Sequence, residues 1–250
     1  MAYKQESIKP YDGNEAKGVQ VARMFDNIAH SYDRLNHWLS FGIDKYWRNA
    51  AIRSLKPFAP RRILDVATGT GDFALLSARK LQPEHLLGVD ISEGMLAVGR
   101  KKVQEAGMES IIAFRKDDCM ALNLPDASFD AVTVAYGVRN FENLETGLRE
   151  MLRVLRPEGR LVIIELTSPV HFPMKQLFWL YSHVLMPLLG RLVSRDSKAY
   201  SYLPATMEAF PQGEVMREVL QRVGYADVQF RRFTFGLSTL YTAAAPKRGA

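Results

Sequence analysis

Residues 63–72 read Ile63-Leu64-Asp65-Val66-Ala67-Thr68-Gly69-Thr70-Gly71-Asp72. A short apolar run ends in a turn with two glycines, and a helix-forming stretch, Phe73 to Leu81, follows it. A strand that enters a helix through a glycine turn is the opening of a βαβ unit. Glycine has no Cβ, so such a turn lets a ligand approach the backbone closely.

The same alternation continues on the C-terminal side. Strands are predicted at 62–66, 86–91, 111–115, 129–135, 160–166, 228–233 and 237–244. Helices are predicted at 73–81, 93–106, 144–155 and 214–223. Ser92 and Gly107 are the start and stop signals of the second helix, Gly224 stops the last, and Pro157-Glu158-Gly159 is expected to stop the third. Leu144, Leu148, Met151, Leu152 and Leu155 share one helical face. Strands alternating with helices imply an α/β fold, a doubly wound, mostly parallel sheet of seven strands. The chain of 250 residues suits one domain spanning 1–250. Within it, residues 1–17 are expected to be a loose tail and 18–58 an N-terminal helical cap. Val19 to Leu55 reads as helical, with aromatics throughout. Residues 168–210 form an aromatic, proline-interrupted helical insertion before the last strands.

Composition narrows the function. Thirty-three basic against 27 acidic residues give +6, with no dense cationic run, so no nucleic-acid footprint is read. The single cysteine, Cys119, makes no intrachain disulfide and no thiolate zinc site, so no metal is expected and a reducing, cytoplasmic setting fits. The first seventeen residues are polar, without the apolar centre of a signal peptide. The most apolar stretch, 176–190, is interrupted by His183 and Pro187 and is too short to span a bilayer.

In an open parallel sheet, ligands bind beyond the carboxyl ends of the strands, where strand order reverses. Four predicted strand ends carry small or polar residues: Ala67 to Gly71, Asp90 followed by Ile91, Asp117-Asp118-Cys119, and Ala135-Tyr136-Gly137. Asp90 stands nineteen residues after Gly71, the spacing at which a carboxylate accepts from ribose hydroxyls. Asp118 or its neighbour would meet an adenine edge, with Leu122 and Leu124 near the ring. A dinucleotide loop carries a third glycine, but Ala74 stands there, and Asp72 at the helix start would repel a pyrophosphate. No Gly-Lys-Ser/Thr follows, which removes a Walker loop. An adenosine without phosphates fits better, and S-adenosylmethionine is such a ligand. Asp65 and Asp72 would suit its positive end. Asp72 is otherwise expected to cap the helix.

Longer motifs sharpen this. Met24-Phe25-Asp26-Asn27-Ile28-Ala29-His30-Ser31-Tyr32-Asp33-Arg34-Leu35-Asn36, then Tyr136-Gly137-Val138-Arg139-Asn140, then Asp196-Ser197-Lys198-Ala199-Tyr200-Ser201-Tyr202-Leu203 resemble the signatures of the menaquinone/ubiquinone C-methyltransferase family within the class I methyltransferases. The resemblance covers about residues 19 to 245. It implies S-adenosylmethionine bound near Gly69, Thr70, Gly71, Asp90, Ile91, Asp118, Cys119 and Ala135, and methyl transfer to a ring carbon of a polyprenyl quinol. Demethylmenaquinol is the favoured acceptor. A ubiquinone-pathway ring, another small lipid, and a cofactor-binding scaffold without catalysis are the alternatives. Ala67 departs from the glycine that many methyltransferases carry there, and is tolerable if its φ is negative.

Arg139 and Asn140 are the catalytic candidates. Arg139 would stabilise a developing phenolate and Asn140 orient it; the competing reading pairs Arg139 with Glu142 or Glu165. His171 and His183 are bases by type but read as structural. In the insertion, Phe172, Leu177, Phe178, Trp179, Tyr181, Leu185, Met186, Leu188 and Leu189 would line a channel or touch a membrane surface, aided by Lys175, Arg191, Arg195 and Lys198. Ordinary core packing or a homodimer interface is the alternative.

Overall fold

The computed structural model describes residues 3–33, 40, 42–182 and 198–247. The expectations placed on Arg34 to Asn36, on His183, Leu185, Met186, Leu188 and Leu189, on Arg191, Arg195, Asp196 and Ser197, and on the side chains of Lys198 to Ser201 lie outside the described residues.

The elements run α1 (Lys4–Ser7), α2 (Lys17–Ile28), α3 (Asp44–Leu55), β1 (Arg62–Val66), α4 (Asp72–Leu81), β2 (His85–Asp90), α5 (Glu93–Glu105), β3 (Ile112–Lys116), β4 (Phe129–Ala135), α6 (Leu144–Val154), β5 (Leu155–Leu166), α7 (Met174–Leu180), α8 (Lys198–Ala209), α9 (Glu214–Val223), β6 (Ala226–Phe233) and β7 (Ser238–Ala244). The sheet has seven strands in the order β3-β2-β1-β4-β5-β7-β6. Every pairing is parallel except those of β7, which runs antiparallel to β5 and β6. Strand order reverses between β1 and β4, so a crevice opens beyond their carboxyl ends.

Side chains alternate along each strand, so β1 and β4 feed two cores. Ile63 and Ala131 pack with Trp47, Ala51, Ile52 and Leu55 of α3 and Phe73 and Ala74 of α4. Leu64 and Val132 face the other way, against Leu144, Leu148 and Met151 of α6 and Met216, Val219 and Leu220 of α9. Each fully buried leucine contributes about 1.5–3 kcal/mol by removal from water.

Local chemistry sets the helix ends. The Ser92 hydroxyl accepts from the Met95 N–H and starts α5. Gly224, at φ 114°, ends α9 in the left-handed conformation.

Three expectations are corrected. Residues 19–55 are not one helical run, because α2 ends at Ile28 and α3 begins at Asp44, after Gly42 at φ 75°. Residues 3–17 are not loose: they carry α1, and Glu6, Lys17 and Tyr3 bond to residues 141–145. Pro157-Glu158-Gly159 lies inside β5 and does not separate it from α6. Leu155 already pairs with Phe129, and a register shift before the Arg160–Ala131 pair absorbs the proline.

Candidate active site

The turn after β1 is built around a buried carboxylate. Asp65, 1% exposed, accepts from the hydroxyls of Thr68 and Thr133, each at 2.6 Å. These bonds tie the turn to both β1 and β4. Burial pushes the Asp65 carboxyl up to about 6 against those two bonds. Ala67 adopts φ 53° and Gly69 φ 57°. The condition under which a methyl at Ala67 is tolerable, a negative φ, is not met: the residue is held in the left-handed region.

At the end of β2, Asp90 accepts from the Gly69 N–H at 2.8 Å through one oxygen and from the Ser92 N–H at 2.9 Å through the other. The Ile91 N–H also acts on this carboxylate, and since a carboxylate offers about four lone-pair directions, capacity for a ligand hydroxyl remains. Burial raises the Asp90 carboxyl, and the main-chain donors at Ser92 and Gly69 oppose it.

A cavity of about 720 Å³ opens over these strand ends. Gly69, Asp90, Ile91, Asp118, Cys119, Ala135 and Asn140 line it. A Cβ built on Gly69 would meet nothing within 4 Å, so the turn stands open at that point. Asp118 accepts from the Met120 N–H at 2.9 Å and shapes the β3 end. Burial pushes the Cys119 thiol up, so it stays protonated.

Other expected contacts lie elsewhere. Thr70 is buried and its hydroxyl donates to Asp33 at 2.6 Å. Gly71 is packed so tightly on Phe114 that a Cβ would stand 2.5 Å from the ring. Neither residue is among those lining the cavity. Leu122 sinks into the core beneath α6, and Leu124 packs against that same cluster. Asp65 is sealed by its threonines. Asp72 does not cap α4 but forms its first turn, where Lys102 at 2.7 Å and Arg48 at 3.4 Å neutralise it. The two carboxylates assigned to a positive ligand end are thus already satisfied.

Arg139 follows the competing reading. Its guanidinium is buried, donates to Glu165 at 2.5 Å and to the Tyr136 carbonyl, and does not line the cavity. Burial opposes its charge, but the Glu165 carboxylate prevails and holds it protonated. Asn140 does reach the cavity, and its side-chain oxygen is buried without a hydrogen-bond partner among the described residues. His171 is exposed.

The cavity has a wall that strand-end reasoning missed. Val19, Arg23, Phe25 and Asp26 of α2, with Tyr32, line its outer side. Asp26 accepts from the Ser92 hydroxyl at 2.6 Å and the Gly94 N–H at 2.8 Å, which docks α2 on the start of α5. Tyr136 lines the opposite side at φ 63°, its ring 5.5 Å from the Arg48 guanidinium. The available signal was the motif from Met24 to Tyr32, which had been matched without assigning any of its residues a place.

The residues present fit an adenosine-bearing cation. The volume lies in the range of small-molecule sites. Asp90 keeps free lone pairs, Gly69 leaves open space, and Asp26 and Asp118 add negative charge at the rim. A doubly wound sheet in this order, with such a site at its reversal point, is the class I S-adenosylmethionine-dependent methyltransferase fold. Solved structures agree: an S-adenosylmethionine-dependent methyltransferase of Thermotoga maritima aligns with TM-score 0.61 at 17% identity, covering 89% of this chain and 99% of its own. Phosphoethanolamine N-methyltransferase 2 of Haemonchus contortus, bound to S-adenosylhomocysteine, aligns with TM-score 0.64 at 16% identity, covering 90% and 61%.

The chain belongs to the ubiE/COQ5 methyltransferase family, whose model matches residues 12–245. It is 60% identical to the demethylmenaquinone methyltransferase of Bacteroides fragilis over 97% of this chain and 99% of the relative. It is 44% identical to the enzyme of the same name from Porphyromonas gingivalis, over 94% and 97%. It is 43% identical to a ubiquinone/menaquinone biosynthesis C-methyltransferase of Geobacter sulfurreducens, over 90% and 88%. The chain is a methyltransferase, and S-adenosylmethionine is its methyl donor. No helix among the described residues is long and apolar enough to cross a membrane.

Proposed function

We propose that the chain methylates a ring carbon of demethylmenaquinol. The observation that carries this reading is its 60% identity, over nearly the whole of both chains, to a demethylmenaquinone methyltransferase. S-adenosylmethionine supplies a methyl group activated by the positive sulfur. The protein's task is then alignment, which is worth several kcal/mol when reacting atoms are held in line.

In this reading Asp90 accepts from the ribose with its remaining lone-pair capacity. Ile91, Asp118 and Cys119 border the adenine, and Gly69 and Ala135 give the methionine part room. Asn140 presents its unpaired oxygen to the acceptor and orients a ring hydroxyl. Arg139 acts indirectly, fixing the loop that carries Asn140 through Glu165. Thr70 and Gly71 shape the turn from behind.

The acceptor of this reading is a membrane lipid. Val170, Phe172, Leu177, Trp179 and Leu180 are exposed on one segment that includes α7, and Phe235 is exposed beside Gly236, which abuts Pro169. We assign this face to peripheral contact with a lipid surface, with Lys175 as a basic residue on it.

Turnover of reduced demethylmenaquinone with labelled S-adenosylmethionine tests the acceptor. The expected product gains one methyl on ring carbon. Methylation of a ubiquinone precursor instead, at the higher rate, would move the assignment to that pathway. Flotation with anionic vesicles tests the face: Phe172→Glu with Trp179→Glu should release the protein. Unchanged flotation, or a shift from dimer to monomer in its place, would overturn the membrane contact.

A further inference from the structure

We propose that residues 3–8 and Lys17 form a clasp that holds the 136–142 loop against α2, making Lys17 a positioning residue for the cavity wall that carries Asn140. Lys17 is 1% exposed, and its ammonium donates to the Gln5 carbonyl at 2.5 Å and the Phe141 carbonyl at 3.3 Å. It therefore joins three segments through one side chain: the arm, the first residue of α2, and the loop after β4. The next residue repeats the link, since the Gly18 N–H donates to Glu142 at 2.9 Å. Phe141, Glu142 and Gly18 all line the cavity.

The arm is itself anchored beyond the loop. Glu6 accepts from the Leu144 N–H at 2.8 Å and so caps α6 together with Asn143. The Tyr3 hydroxyl donates to Glu145 at 2.7 Å. Both anchors sit on the helix that begins where the loop ends.

Two features mark the clasp as more than packing. Burial pushes the Lys17 amine down to about 8, against the pull of Glu6 and Glu142, so the cation is held where water would be preferred. Gln5 is fully buried, and neither polar atom of its carboxamide has a hydrogen-bond partner among the described residues. The arm thus accepts local costs to reach this position. The family match covers residues 12–245, so it includes Lys17 but not residues 3–8.

Amide hydrogen exchange and calorimetry on the full-length protein, on Lys17→Met and on a deletion of residues 2–8 test the clasp. Peptides covering 137–146 should exchange at least tenfold faster in both variants, while those of β1 and β4 stay as protected as before. The Kd for S-adenosylhomocysteine should rise at least fivefold. Unchanged exchange at 137–146 in the deletion variant overturns the proposal. Equal acceleration across the whole sheet overturns it too, because that is general destabilisation. If Lys17→Met does not accumulate, the deletion variant decides alone. Neither readout involves an acceptor, so the outcome is independent of which quinol is methylated.

Discussion

The turn after β1 and the loop after β4 face each other across one cavity, yet they are held in opposite ways. The first is fixed mostly within the parallel core of the sheet: Asp65 reaches Thr68 three residues on and Thr133 across 68 in β4, and Asp90 of β2 reaches Gly69 across 21. The second depends on the adjacent strand β5 and, beyond it, on the N-terminal segment. Arg139 bonds Glu165 at a separation of 26 residues, Phe141 and Glu142 are reached by Lys17 and Gly18 at 124, and Leu144 is capped by Glu6 at 138. A turn of the first kind is a property of the central parallel strands. A loop of the second kind is a property of the assembled molecule, and should yield first when one distant partner is lost.

The sharpest way to break this contrast is Arg139→Met. Glu165 is fully buried, so the substitution leaves a carboxylate without its guanidinium. Removing one partner of a buried pair costs about 3–5 kcal/mol. Urea unfolding should show a loss of that size, and Glu165→Gln added to Arg139→Met should recover much of it. A loss below about 1 kcal/mol would mean the loop does not depend on the pair.

On the β1 side, the corresponding test is pH. The folded Asp65 carboxyl is raised to about 6 from an ordinary 3.8. The native state therefore holds this proton more tightly than the unfolded chain does. Its contribution is fully present below about pH 4 and is lost as pH rises through 6, in total about 3 kcal/mol at 1.4 kcal/mol per pH unit. Asp65→Asn, with the threonine hydroxyls turned to suit the amide, should remove that slope. Parallel stability–pH curves for both proteins between pH 4 and 7 would show that the carboxyl is not perturbed.

The same turn should govern the cofactor. Asp90→Ala removes the acceptor for Gly69 and Ser92 as well as the proposed ribose contact. Hydrogen bonds to a charged group are worth about 1.5–3 kcal/mol, so S-adenosylhomocysteine binding should weaken by about 2–3 kcal/mol in calorimetry. Unchanged affinity would remove Asp90 from the site.

The contrast also explains what could be read in advance. β1 and β4 were placed to the residue, because a compact apolar run bounded by turn residues reports itself. Asp90 stands out by its spacing from Gly71, and it lines the cavity. The Thr70 hydroxyl turns to Asp33, a direction set by φ values within the glycine turn that residue names do not carry. The α2 wall went unseen because Asp26 meets Ser92 and Gly94 across 66 and 68 residues, a pairing no periodicity encodes. Arg139 stood out as a residue, and the structure pairs it with Glu165, one of two acids the sequence left open.

One contact joins the two sides directly, and it carries the smallest expected effect. A Cβ built on Gly137 would stand 2.6 Å from the Ala67 methyl and 3.1 Å from Val134. Gly137 itself has φ −108°, which any residue tolerates, so the glycine is required by space and not by conformation. Ala67, by contrast, pays a left-handed φ of 53°, a cost of about 1–2 kcal/mol for a residue with a Cβ. The two positions are complementary: the methyl of Ala67 occupies the room that Gly137 leaves. Gly137→Ala should cost about 1–3 kcal/mol through overpacking. Ala67→Gly should be close to neutral, since relief at φ 53° is offset by about 0.4–1 kcal/mol of added unfolded-chain freedom. The double variant should regain at least about 1 kcal/mol over Gly137→Ala, a coupling of the size found between residues in contact. Both residues line the cavity, so S-adenosylhomocysteine affinity should follow the same cycle. Strict additivity in both measurements would mean that the loop can retreat from the turn without cost, and that the cavity is shaped by the distant clasp alone.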